Sequence, residues 1–260
     1  MKQADDVQLK VEQKEQTVNW RPWVGVVFVV VVFFLSQLIA GASISLYPLL
    51  QDWSTSRANE WLSNSVGIQF LYILLAETLA IGSLWQFLRL HARNFNAIGL
   101  FKPKWRDLRY ALAAIPVYYV IYLITVGLAS WLVPGFNADQ EQDIGFDNVS
   151  GVFQLSIVFL SLVVIPPIAE EIMVRGFLYT SLKKAMRLAP AVIITSLMFA
   201  LAHLQTGGEA GPLYVAAVDT FILSLVLIYL REKSGSLWAS IYLHGFKNGV
   251  AFMAIFVFGL

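Results

Sequence analysis

Three short groups of residues in this chain have the types and spacing to do chemistry. In the first, Glu170-Glu171-Ile172-Met173-Val174-Arg175, Glu171 and Arg175 stand at i, i+4 with the acid nearer the N-terminus, the favourable order for an ion pair along one helix. Glu170 is one residue back and points about 100° away from Glu171 on a helix. One carboxylate is thus clasped by the guanidinium while the other stays free for chemistry. In the second group Phe199 and His203 share a helical face, so the ring packs against the imidazole and orients it. In the third, His244 and Asn248 place an imidazole and a carboxamide side by side. A free carboxylate in the company of two imidazoles is equipment for general acid–base catalysis.

The elements that position these residues are membrane helices. The chain has 260 residues, 58% hydrophobic and 13% charged, with mean hydropathy +0.66. That apolar excess has no soluble core of this length to hide in, so a bilayer is the main solvent. A soluble enzyme, a disordered chain and a disulfide scaffold are excluded. The chain contains no cysteine, which excludes thiol catalysis and Cys-ligated zinc and leaves the redox compartment unread. A net charge of +1 argues against a nucleic-acid partner.

Hydropathy predicts an all-α, polytopic bundle of about seven spans, at roughly 23–47, 66–88, 110–132, 151–181, 190–206, 212–230 and 237–259. Residues 1–22 are polar and mixed in charge, a solvated tail too long and too acidic for a signal peptide. Spans 1–3 with their loops fill 23–150, and spans 4–7, which carry all three groups, fill 151–260. Pro166-Pro167 breaks or kinks the fourth span, and Pro190 starts the fifth, where its missing N–H costs nothing. With the N-terminus in the cytoplasm, all basic residues except Arg57 and Lys247 lie on the inner side. The outer loop 134–150 carries Asp139, Glu141, Asp143 and Asp147 instead. That is the positive-inside asymmetry.

Charged groups inside a bilayer cost a few kcal/mol each even on lenient scales, so each needs a reason. The chain has Glu77, Glu170, Glu171, Arg175, His203, Asp219, His244 and Lys247 within its spans. At ~1.5 Å rise per residue, Glu170 and His203 both stand roughly 20 Å above the connection between spans 4 and 5, and His244 about 16 Å beyond Lys233. Three helices deliver a carboxylate and two imidazoles to a similar depth. Asp219 and Glu77 are each 12 residues from an inner basic residue, Arg231 and Arg89, a depth from which they could reach the same cavity; the preferred expectation is that either one pairs with Lys247. Tryptophans 23, 53, 61, 105, 131 and 238 lie near span ends as interface anchors. The Gly207-Gly208-Glu209-Ala210-Gly211-Pro212 stretch reads as an outer turn, not a phosphate loop.

Glu170-Glu171-Ile-Met-Val-Arg175, Phe199-Ala-Leu-Ala-His203 and His244-Gly-Phe-Lys-Asn248 resemble the EExxxR, FxxxH and HxxxN motifs of the CAAX-protease and bacteriocin-processing (CPBP, Abi) family of intramembrane proteases. Gly176-Phe-Leu-Tyr and Gly235-Ser-Leu-Trp-Ala-Ser-Ile match the surroundings, and the likeness covers about residues 151–250. It implies an intramembrane peptidase in which Glu170 activates water with His203 as partner, and His244 and Asn248 stabilise the oxyanion. Glu171 and Arg175 hold the architecture. A carboxylate desolvated in a low-dielectric site is a stronger base than one in water, and donors fixed where charge develops are worth several kcal/mol. The resemblance leaves a metal open: zinc, if used, would take Glu170, His203 and His244. HExxH is absent and the remaining histidine, His91, lies in a basic loop, so metal-free hydrolysis is the preferred expectation. The implied partners are a peptide or membrane-protein substrate and the lipid bilayer, in a bacterial cell membrane. The rival readings are a non-catalytic peptide-binding immunity or scaffold protein, and a proton-coupled transporter.

Overall fold

A backbone surrounded by hydrocarbon must satisfy its own N–H and C=O groups, and this sequence does so with helices. A computed structural model describes residues 20–140, 144–204 and 213–259, and no strand occurs among them. The predicted tail up to residue 19, Glu141 and Asp143 of the acidic loop, and the Gly207–Pro212 turn lie outside the described residues.

Among the described residues six helices are long and apolar enough to cross a membrane: α1 (Pro22–Leu50), α3 (Val66–Leu90), α4 (Trp105–Leu132), α5 (Gly151–Ala185), α7 (Tyr214–Ser234) and α8 (Trp238–Phe258). They coincide with six of the seven predicted spans. The seventh is present as a shorter helix. The run expected at 190–206 forms α6, Leu188–Ala202, only 15 residues or about 22 Å, short of the ~30 Å hydrocarbon thickness. It ends with His203 as its C-cap. A short amphipathic helix α2 (Thr55–Asn64) joins α1 to α3, capped by Ser54 Oγ accepting from the Arg57 N–H.

The proline pair, expected to break or kink the span, does not divide α5. The helix runs through from Gly151 to Ala185, and its winding widens to π turns at Leu160–Val164 and Ile172–Leu178. Such turns absorb a lost i→i−4 bond without ending the helix.

One apolar core gathers Leu84, Leu88, Phe177, Leu178 and Ile228 between α1, α3, α5 and α7; a second packs Ala111, Tyr118, Leu227 and Leu243 between α4, α7 and α8. Much of the outward surface is apolar, including Phe34, Leu123 and Phe153, as lipid contact requires. Near the start of α1, Gly25 is buried against α5. A Cβ there would stand 2.3 Å from Ser181 Oγ, which accepts from Trp20 Nε1 at 2.8 Å and donates to the Phe177 carbonyl at 2.7 Å. Gly25→Ala is expected to destabilise by about 1–3 kcal/mol, the range for overpacking, seen as a lowered melting temperature in detergent. Gly41→Ala, with nothing nearer than 3.8 Å, is the control and should melt unchanged.

Candidate active site

The site begins with what two prolines remove. Pro166 and Pro167 have no N–H, so the carbonyl of Leu162 has neither an i+4 nor an i+5 donor above it, and neither α nor π winding can satisfy it. In lipid that oxygen needs a donor from another helix. Asn248 Nδ2 of α8 supplies it, at 2.9 Å. One turn away Gly245 allows the same approach, since a Cβ there would lie 3.2 Å from the Val163 carbonyl. The proline pair thus docks α8 onto α5, a turn before Glu170.

That docking sets His244 beside both glutamates. His244 Nδ1 donates to Glu171 Oε1 at 3.0 Å, and its Nε2 lies 3.8 Å from Glu170 Oε2. From α6, His203 Nε2 lies 3.7 Å from the same oxygen, while its Nδ1 donates to the Phe199 carbonyl at 2.9 Å. A carbonyl only accepts, so the proton of neutral His203 sits on Nδ1 and its Nε2 faces Glu170 as a lone pair. Both imidazoles therefore present Nε2 to one carboxylate oxygen, and that oxygen is enclosed with no hydrogen-bond partner of its own. Three helices bring together the acid and two imidazoles that the depth argument matched.

Glu171 and Arg175 form the expected clasp. Arg175 Nη1 donates to Glu171 Oε1 at 2.9 Å, with both side chains wholly buried. Because the same oxygen also accepts from His244, Glu171 ties α5 to α8, a link that the sequence spacing did not reveal. Phe199 is buried between these groups. Arg175 Cζ stands 4.0 Å over its ring centroid, the His203 ring is 4.4 Å away and the His244 ring meets it edge-on at 6.0 Å. The ring predicted to orient one histidine contacts all three basic groups.

Asn248 sits near these residues, but one of its N–H groups is committed to Leu162. Asp219 pairs with Lys247 at 2.9 Å, as expected, and accepts from the Tyr118 hydroxyl, joining α4, α7 and α8. Glu77 does not pair with Lys247. It lines a cavity of about 450 Å³ together with Glu170 and His203, walled by apolar side chains of α1, α3, α5 and α6. As a test of zinc, the three donors share a corner, yet among the described residues no three acidic or imidazole groups are spaced to hold a metal ion. No step below passes through one.

Fold and site together define a multi-pass helical membrane protein with an acid–imidazole centre buried among its spans. Residues 152–250 match the family model described as type II CAAX prenyl endopeptidase Rce1-like, and over this segment the chain is similar to the CAAX proteases that its motifs resemble. No curated protein and no solved structure matches the chain.

Proposed function

We propose that the protein hydrolyses a peptide bond inside the bundle with a water activated by Glu170 and His203. The supporting observation is the convergence of His203 Nε2 and His244 Nε2 on the enclosed, unpartnered Glu170 Oε2. In this reading Glu170 takes the proton of the attacking water and passes it to the leaving amine. Neutral His203 accepts a hydrogen bond at Nε2 from the water's other O–H, which stays on the oxygen, and so aims that oxygen at the carbonyl carbon. His244 stabilises the oxyanion as an imidazolium, donating from Nε2 while Glu171 holds Nδ1–H and balances its charge. Asn248 contributes its second N–H to the same oxyanion and uses the first to hold α8 in place. Arg175 and Phe199 position Glu171 and both imidazoles without touching substrate. The chain then divides at about residue 150 into supporting spans and a catalytic set, with the N-terminus and the basic loops on the cytoplasmic face.

The test is cleavage of a quenched peptide library by purified protein in lipid nanodiscs, beside Glu170→Ala and His203→Ala. Products are expected from the wild type alone; equal cleavage by all three proteins refutes the assignment. Cleavage is also expected to survive a zinc chelator at concentrations that strip a three-ligand site. Loss that zinc restores would transfer Glu170 and both histidines from acid–base work to metal ligation.

A further inference from the structure

The cavity that opens on Glu170 holds a second carboxyl group with no job in this chemistry. Glu77 lies midway along α3 and lines the cavity wall beside Gln37 of α1. It makes no hydrogen bond or ion pair among the described residues, and no lysine or arginine lines the cavity. Another acid, Glu170, lines the same cavity, and two like charges there repel. Lys247, the cation expected to neutralise it, is held by Asp219. Gln37 Oε1 accepts from the Tyr72 hydroxyl. Both α1 and α3 lie outside residues 152–250, so this wall belongs to the part of the chain beyond the family match.

We propose that Glu77 is a specificity residue that selects peptides carrying a lysine or arginine next to the bond cleaved, a reading that rests on the hydrolytic site proposed above. An acid placed alone in an apolar wall is costly unless a cation arrives to meet it. Lysine and arginine suit such a wall, since their methylene stems lie along apolar surface while the charged tip reaches a polar end. Val29, Phe33, Met173 and Met198 supply that surface. The cation would also offset the repulsion between the two glutamates, keeping Glu170 ionised as a base when the correct substrate is seated.

The experiment uses full-length protein in nanodiscs and two arms. In the first, products of a randomised peptide library are sequenced for wild type, Glu77→Gln and Glu77→Lys. Wild type is expected to enrich Lys and Arg over uncharged residues beside the cleaved bond by about tenfold, the worth of one hydrogen bond to a charged group. Glu77→Gln should lose that enrichment while still cutting uncharged sequences, and Glu77→Lys should shift it towards acidic residues. In the second arm, a labelled apolar peptide with one lysine, and its norleucine twin, are titrated into Glu170→Gln protein with and without Glu77→Gln. Tighter binding of the lysine peptide, lost with Glu77, is expected. Cleavage whose residue preference ignores Glu77 overturns the inference and leaves the hydrolase standing. A Glu77-dependent binding preference without any cleavage sustains the inference and overturns the hydrolase. Equal binding of the two peptides overturns the inference whatever the first arm shows.

Discussion

Glu170→Gln is expected to lower kcat/KM for a cleaved peptide about 10³-fold, within the range for removing a positioned base, while the melting temperature stays near that of wild type. The substitution is nearly isosteric, so packing around the enclosed Oε2 position is preserved. What it removes is a group able to take a proton from water. His203→Ala should cost a similar factor, because Glu170 alone leaves the attacking water with no acceptor for its second hydrogen. The double variant then discriminates between a unit and two independent contributors. If Glu170 and His203 act on one water, Glu170→Gln/His203→Ala is no slower than the worse single variant, the non-additivity that residues of one catalytic unit show. Multiplied losses would place the two side chains in separate steps. Each variant is assayed beside its thermal melt, so a collapsed site is not mistaken for a disarmed one.

The convergence of Glu170, His203 and His244 was legible because helices are rulers. A fixed rise per residue converts sequence separation into depth, and a bilayer makes every ionisable group at depth conspicuous. The Glu171–Arg175 clasp was legible for the same reason, being a matter of helical phase. What spacing does not encode is how far one rod turns about its axis towards another. For that reason the Glu171–His244 bond, and Phe199 under Arg175 as well as against His203, came only with the fold. The α6 boundary was placed a turn late because hydropathy averages over a window, whereas backbone hydrogen bonding closes the helix at Ala202.

One further feature was readable and went unread. Prolines at 166 and 167 remove both donors that could reach the Leu162 carbonyl, so in hydrocarbon a polar side chain on a neighbouring helix had to serve it. The sequence offers few candidates, and Asn248 is one of them. A break or kink in span 4 was the expectation, but the consequence of the pair is to fix α8 against α5 through Asn248. Glu77 shows the opposite limit. Its depth was visible, but its partner was assigned by charge alone, and the structure gives Lys247 to Asp219 instead.

Arg175→Ala is expected to cost about 3–5 kcal/mol, the usual penalty for leaving one half of a buried ion pair uncompensated. That is a large part of the 5–15 kcal/mol that holds a typical domain together. Both members of the pair are wholly buried, so Glu171 would keep its charge with only His244 to answer it. Yet the pair itself need add little net stability. Arg175 Nε and Nη2 have no hydrogen-bond partner, and replacing a buried pair by apolar or neutral groups of similar volume is often harmless. Glu171→Gln/Arg175→Met should therefore recover most of the melting temperature lost by Arg175→Ala. Activity should not return with it. His244 would face an amide in place of a carboxylate, its imidazolium would lose the charge that balances it, and kcat is expected to stay at least about tenfold down, the scale of one charged hydrogen bond, with KM little changed. A double variant that regains both stability and turnover would show that Glu171 serves only to neutralise Arg175. One that regains stability alone assigns Glu171 a second task, setting the charge of the imidazole across from Glu170.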